Sequence, residues 1–137
     1  MYERLEQAYR EHEKLIIAYD LDDTVRPFRS EKCDDTIAVI KRCKEILDAY
    51  FIVYTANADY NKNWRTIEEF NLPCDSLNSY PHDEVFDSFR KYQMAAIPTK
   101  LYYNIFLDDK TFGLRLACKA LTILCNKVES EKRGGKE

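Results

Sequence analysis

Short apolar runs alternate along the chain with longer segments in which apolar residues recur at helical spacing. The apolar runs cover residues 15–19, 50–54 and 102–107, and polar residues follow each of them. Uninterrupted apolar runs of this length are typical of parallel strands that are buried on both faces. The pattern therefore predicts three buried strands, and the short segment 74–77 after Pro73 predicts a fourth.

The segments between these runs predict helices. Asp34 or Asp35 is expected to cap a helix that leads into the second strand, and Thr111 is expected to open the last helix. Further helices are predicted over residues 1–14, 58–70 and part of 80–99. A strand, helix, strand order favours a parallel sheet with right-handed crossovers.

This order of elements predicts an α/β fold, namely a three-layer Rossmann-like sandwich with a mostly parallel sheet. The domain prediction has three parts. Residues 1–14 form an N-terminal helix, residues 15–128 form the core, and residues 129–137 form a flexible polar tail.

Glycine content limits how this chain can bind phosphate. The chain has 137 residues and three glycines, of which Gly134 and Gly135 lie in the polar C-terminal segment. Glycine-rich loops that cradle phosphate need several glycines where the backbone approaches the ligand closely. Phosphate chemistry in this chain would therefore depend on side chains and a metal ion.

Charge and hydropathy exclude other classes of function. The net charge of −3 offers no excess of basic residues for broad nucleic-acid binding. No apolar run approaches the roughly eighteen residues of a membrane span, and the charged N-terminal segment does not resemble a secretory signal. We therefore expect a cytoplasmic protein without membrane contact. The five cysteines have no metal-ligand spacing, and we expect them to be free thiols.

Polar side chains follow the three longer predicted strands at their carboxyl ends. The first strand ends at Asp20 and Asp22, the second at Thr55, and the last at Asp108 and Asp109. Carboxyl ends of parallel strands open onto one edge of a sheet, so these side chains should converge. Several carboxylates in one crevice repel each other, and an oxygen ligand set suits Mg²⁺. Lys100 adds a positive charge.

These motifs resemble the four signature motifs of the haloacid dehalogenase superfamily, in its phosphatase and phosphotransferase branch. The D-x-D-x-T motif is matched by Asp20, Asp22 and Thr24, and the second motif by Thr55. Lys100 matches the third motif, and Asp108 with Asp109 matches the fourth. The resemblance extends over about residues 15–113. One departure is Asp23, at a position that is often glycine in this family.

The resemblance implies a role for each matched residue. Asp20 would be the nucleophile that forms an aspartyl-phosphate, and Asp22 would be the general acid and base. Thr55 and Lys100 would bind the transferring phosphoryl group. The cofactor would be Mg²⁺, bound by Asp20, the Asp22 backbone carbonyl and Asp108, with Asp109 supporting or sharing that role. Lys91 or Lys110 could replace Lys100 in this assignment.

Loop lengths predict that the fold has no cap domain. The segment between the first motif and the next helix holds too few residues for a domain, and elements of the core occupy most of residues 56–99. We expect a flap over residues 25–30, with part of residues 80–98 as a possible addition, to cover the site. Candidate substrate contacts are Thr24, Arg26, Arg29 and Asn57. An open site admits a phosphate group on a small molecule or on a macromolecule.

The sequence therefore favours a Mg²⁺-dependent phosphomonoester hydrolase whose substrate is unidentified. A phosphotransferase of the same family is an alternative. A receiver-like or other non-catalytic phosphate-binding module is a second alternative. Receivers, however, place the phosphoacceptor strand before the threonine and lysine, whereas here a D-x-D motif comes first and the acidic pair at Asp108 comes last. The sequence leaves open the oligomeric state, a lid from a second subunit, and which of Asp108 and Asp109 is the direct metal ligand.

Overall fold

The computed structural model describes residues 2–22, 24–25, 33–79, 103–108 and 113–134. Within these ranges the chain forms four helices and four strands. The helices are α1 (Tyr2–His12), α2 (Asp34–Leu47), α3 (Tyr60–Glu69) and α4 (Leu114–Gly134). The strands are β1 (Ile16–Tyr19), β2 (Tyr50–Val53), β3 (Ser76–Leu77) and β4 (Ile105–Leu107).

The four strands form one parallel sheet in the order β3-β2-β1-β4. Tyr19 at the end of β1 pairs with Val53 of β2 on one side and with Leu107 of β4 on the other. The carboxyl ends of these three strands therefore lie next to each other at one edge. The predicted α/β class and the parallel sheet are confirmed.

The two faces of the sheet carry separate apolar clusters. Ile17, Tyr19 and Phe51 belong to the larger cluster, to which all four described helices contribute buried residues. The smaller cluster contains Ile16, Ala18, Tyr50 and Ile52, with the partly buried rings of Tyr54, Tyr103 and Phe106 packed against it. Both faces of β1 are buried, as expected for its uninterrupted apolar sequence.

The predicted cap of α2 is wrong. The helix already begins at Asp34, and the residue at the cap position is Cys33, whose side chain makes no capping hydrogen bond. Asp34 and Asp35 lie in the first turn instead, where negative charge interacts favourably with the helix dipole. The sequence suggested a cap because aspartate is suited to both positions.

The last helix is longer than predicted. The sequence suggested a flexible tail from Glu129, but α4 continues to Gly134. Two side chains anchor this last part: Arg10 of α1 makes two hydrogen bonds of 2.7 Å with Glu131, and Lys132 donates to the Ile46 carbonyl at 2.8 Å. In the described parts of the chain no helix is long and apolar enough to cross a membrane.

The five cysteines are free thiols, as predicted. Cys43 of α2 and Cys125 of α4 are buried, and their sulfur atoms lie 3.8 Å apart. The hydrogen bond with Cys125 and burial both raise the pKa of Cys43. A neutral Cys43 thiol therefore contributes to the packing of the two helices.

Some predictions fall outside the described residues. These are the helix within residues 80–99, the flap over residues 25–30 apart from Val25, and Thr111 as the start of the last helix. The third layer of the sandwich and the absence of a cap domain depend partly on these segments, so both stay predictions.

Side-chain burial on α4 leads to a test of this packing. Leu121 is fully buried in the larger cluster, whereas Leu116 on the same helix is 62% exposed. Leu121→Ala should lower the free energy of unfolding by about 3 kcal/mol, since it removes buried methyl groups and leaves a cavity. Leu116→Ala should change it by less than about 0.5 kcal/mol. Urea unfolding measures both, and similar losses in the two variants would contradict this arrangement.

Candidate active site at the carboxyl edge of the sheet

Asp20 and Asp108 follow neighbouring strands at the same edge. The Asp20 amide donates to the Leu107 carbonyl at 3.0 Å, which extends the β1–β4 pairing by one step. Neighbouring strands lie about 4.8 Å apart, and side chains two residues apart share a face. Asp20 follows Ala18 and Asp108 follows Phe106 on that face, so both carboxylates belong to one side of this edge.

A tight turn follows β1 and carries Asp22. The Asp20 carboxylate accepts from the Leu21 amide at 2.8 Å, and the Leu21 carbonyl accepts from the amides of Thr24 and Val25 at 3.3 and 3.0 Å. Leu21, Thr24 and Val25 are fully buried, whereas Asp22 is partly exposed. Three buried side chains thus fix the turn that presents Asp22 at the edge. The predicted substrate contact of Thr24 stays a prediction.

Thr55 follows β2 on the other side of β1. The Tyr54 amide donates to the Tyr19 carbonyl at 3.0 Å, so the pairing with β1 continues to the position before Thr55. The Thr55 hydroxyl accepts from the Asn57 amide at 3.2 Å. This bond holds the hydroxyl within the loop that connects β2 to α3.

Asn78, a residue that sequence reasoning missed, fixes the main chain of Thr55. Its side-chain oxygen accepts from the Thr55 amide at 2.8 Å, and its side-chain nitrogen donates to the Thr55 carbonyl at 3.0 Å. Asn78 directly follows β3 and has a positive φ of 50°. A polar residue after the fourth predicted strand was the available signal, because the same reasoning had selected Thr55.

Asn57 connects this loop to the turn after β1. Its side-chain nitrogen donates to the Asp22 carboxylate at 3.4 Å, and its side-chain oxygen accepts from the Asp59 amide at 2.9 Å. The loops after β1 and β2 therefore contact each other directly. Sequence reasoning had assigned Asn57 only as a candidate substrate contact.

The structure brings together at one edge five of the residues that the sequence singled out. They are Asp20, Asp22, Thr55, Asn57 and Asp108. Four others lie outside the described residues: Arg26, Arg29, Lys100 and Asp109.

The carboxylates at this edge are oxygen donors of the kind that Mg²⁺ prefers. Among the residues that the structure describes, no group of three or more His, Cys, Asp and Glu side chains could hold a metal ion. Asp20 and Asp108 supply two carboxylates at this edge. Magnesium commonly takes one or two protein carboxylates and completes its octahedron with water and substrate phosphate. Two carboxylates are compatible with that preference, and a magnesium site here stays a prediction.

Two titratable groups beside the site are structural. Tyr19 is fully buried, and its hydroxyl donates to the Pro73 carbonyl at 2.7 Å. Burial raises the pKa of Tyr19 well above its usual value. Burial also raises the pKa of the Cys74 thiol to about 11, and this thiol contacts the Ser76 carbonyl. Both groups are protonated at neutral pH, so neither supplies an anionic nucleophile.

A cavity of about 560 Å³ lies elsewhere, between α1, the end of α2, and α4. Asp48, which lines it, precedes β2, so the cavity is near the opposite edge of the sheet from Asp20. The lining residue Arg10 pairs with Glu131, and Asp48 pairs with Lys14 and Lys44 at 2.9 and 3.0 Å. These ion pairs join neighbouring segments, and we assign the region to helix packing.

Comparison of the chain with family models, with curated proteins and with solved structures finds no match. The physical basis for assigning a function is therefore the arrangement of side chains at the carboxyl edge of the sheet.

The two hydrogen bonds of Asn78 can be tested by amide exchange at Thr55. Asn78→Gly keeps a residue that tolerates positive φ but removes both bonds. Loss of about 1 kcal/mol of protection should accelerate exchange of the Thr55 amide roughly fivefold. Asn71→Gly, at another residue of positive φ, is the matched control and should leave this exchange unchanged. Equal exchange of the Thr55 amide in the wild type, Asn78→Gly and Asn71→Gly would refute the role of Asn78 in fixing the main chain of Thr55.

Proposed function

We propose that this chain is a Mg²⁺-dependent phosphomonoester hydrolase that acts through an aspartyl-phosphate on Asp20. The observation that carries the proposal is the position of Asp20 directly after β1, which lies between β2 and β4 in the sheet. Asp108 follows the neighbouring strand on one side, and Thr55 follows the neighbouring strand on the other. One phosphoryl group could therefore contact residues from three adjacent strand ends.

In the first step, a carboxylate oxygen of Asp20 attacks phosphorus and the bond from phosphorus to the leaving oxygen breaks. Asp22 donates its proton to that leaving oxygen, so the product departs as an alcohol. The two-residue offset and the tight turn at Leu21 support this assignment, because they keep both carboxylates at the same edge.

In the second step, Asp22 accepts a proton from water while the water oxygen attacks phosphorus. The bond between phosphorus and Asp20 then breaks, which releases inorganic phosphate and restores the carboxylate. Two displacements replace one difficult hydrolysis. Asp22 ends the cycle protonated, as it began.

The remaining residues would bind the phosphoryl group and the metal ion and balance their charges. The Thr55 hydroxyl and the Lys100 ammonium would contact phosphoryl oxygens, which is mainly positioning and electrostatic work. Asp20 and Asp108 would hold Mg²⁺ together with the Asp22 carbonyl, and Asp109 would support them. When bound, the ion neutralises negative charge between the carboxylates and the phosphate.

The proposal includes membership of the haloacid dehalogenase superfamily as a three-layer, Rossmann-like form without a cap domain. Four motifs in the family's order support it, and so does the parallel sheet that brings the first, second and fourth motifs to one edge. A site without a cap would take phosphate groups from small molecules or from macromolecules.

The nucleophile is tested by Asp20→Asn, with phosphate release from 4-nitrophenyl phosphate and Mg²⁺ as the assay. The variant should lose activity on the order of 10³-fold or more, because the amide is a poor nucleophile. The matched control is Asp48→Asn, which makes the same change at an exposed residue near the opposite sheet edge and should keep full activity. Full activity in Asp20→Asn would refute the covalent mechanism.

The metal site is tested by titrating Mg²⁺ into protein treated with a chelator. Chelation should abolish activity and added Mg²⁺ should restore it. Asp108→Asn should raise the Mg²⁺ concentration for half-maximal activity by at least about tenfold, since it removes one anionic ligand. Asp48→Asn should not change this concentration. Activity that persists without divalent ions would contradict the metal assignment.

A further inference from the structure

Asn63 is a buried asparagine with an unpaired oxygen. It lies in α3 and is 2% exposed, and its side-chain nitrogen donates to the Asn57 carbonyl at 2.9 Å. Among the residues that the structure describes, its side-chain oxygen has no hydrogen-bond partner. Burial of an unpaired amide oxygen opposes folding, and an apolar side chain of similar size would avoid that cost. Core stability alone therefore does not explain an asparagine at this position.

Asn63 belongs to a helix that is capped at its start and packed against the core. Its own amide donates to the Asp59 carbonyl at 3.0 Å, and the Asp59 side chain caps α3 by accepting from the Lys62 amide at 3.0 Å. One turn further on, Ile67 of the same helix is buried in the larger cluster. The side chain of Asn63 thus projects from a fixed helix toward an irregular loop.

Asn57 transmits this contact to the candidate active site. Its carbonyl accepts from Asn63, its amide donates to the Thr55 hydroxyl, and its side chain donates to the Asp22 carboxylate. The distances of these bonds are 2.9, 3.2 and 3.4 Å. One residue therefore joins α3 to the Thr55 hydroxyl and to the Asp22 carboxylate.

We propose that Asn63 and Asn57 are positioning residues that hold the carboxylate of Asp22 for proton transfer to the leaving oxygen. This inference rests on the proposed function. A general acid is effective only when it lies within hydrogen-bond reach of the atom that it protonates. The loop after β2 is irregular, and the hydrogen bond from Asn63 fixes it to α3. The position of the Asp22 carboxylate is therefore held by a helix through Asn57.

A positioning role and a structural role of Asn63 predict opposite effects on stability. Asn63→Leu removes the unpaired buried oxygen, and the Asn57 carbonyl that loses its donor is in a partly exposed loop where water can replace it. The urea midpoint should therefore stay the same or rise. Catalysis should fall nevertheless, because Asp22 is held less precisely.

The test compares two aryl esters of similar size. The 4-nitrophenolate group leaves readily without protonation, whereas phenolate depends on the general acid. In Asn63→Leu we expect kcat/KM, which reports only the steps up to departure of the leaving group, to fall about tenfold for phenyl phosphate and less than about threefold for 4-nitrophenyl phosphate. Asn57→Ala, which removes the donor to Asp22 itself, should show the same selectivity. Asn61→Leu, at an exposed position of α3, is the matched control and should change neither value of kcat/KM.

Equal loss of kcat/KM for both esters, or a lowered urea midpoint without selectivity, would overturn the positioning role. Hydrogen exchange provides a readout that does not depend on activity. The Asp59 amide, which donates to the Asn57 side chain, should exchange faster in Asn63→Leu than in Asn61→Leu, and unchanged exchange would overturn the proposal. A wild-type protein inactive on both esters would instead refute the phosphatase assignment.

Discussion

The parallel pairing of β1 with β2 and β4 is the constraint on which the other features depend. All four residues of β1 are buried, and each edge of the strand is paired with a neighbouring strand. Its side chains supply the centre of both apolar clusters. Because the register of β1 is fixed on both sides, the residue that follows it is also fixed. The position of Asp20 is therefore a consequence of core packing, with little contribution from the loop itself.

Amide side chains make several of the hydrogen bonds that hold the loops at the carboxyl edge. Asn78 binds both main-chain groups of Thr55, and Asn57 binds Asp22. An amide can donate and accept at the same time without adding charge. Lysine or arginine in these positions would compete for the carboxylates, and further carboxylates would increase their repulsion. Neutral side chains thus arrange the loops without adding charge beside the carboxylates.

The main strands could be predicted because their apolar runs are too short for helices and are bounded by polar residues, which is typical of buried strands. The same runs also predicted which polar residues lie at the carboxyl ends of the strands. Other features depend on contacts between distant residues, which periodicity does not contain. The helical state of residues 129–134 depends on Arg10 and Ile46, and the cap of α2 depends on where its first turn closes. The hydrogen bonds of Asn57 and Asn63 likewise have no signature in spacing, whereas the place of Asn78 after a predicted strand was a usable signal.

The order of strands also bears on how the chain acquires its fold during synthesis. Residues at the start of β1 bind residues just before β4, as in the bond of 2.7 Å from the Ile16 amide to Asn104, which lies 88 residues further on. One edge of this fully buried strand therefore stays unpaired until most of the chain has left the ribosome. An unpaired apolar edge is a template for association between nascent chains. The short length of β1, four residues, limits that hazard.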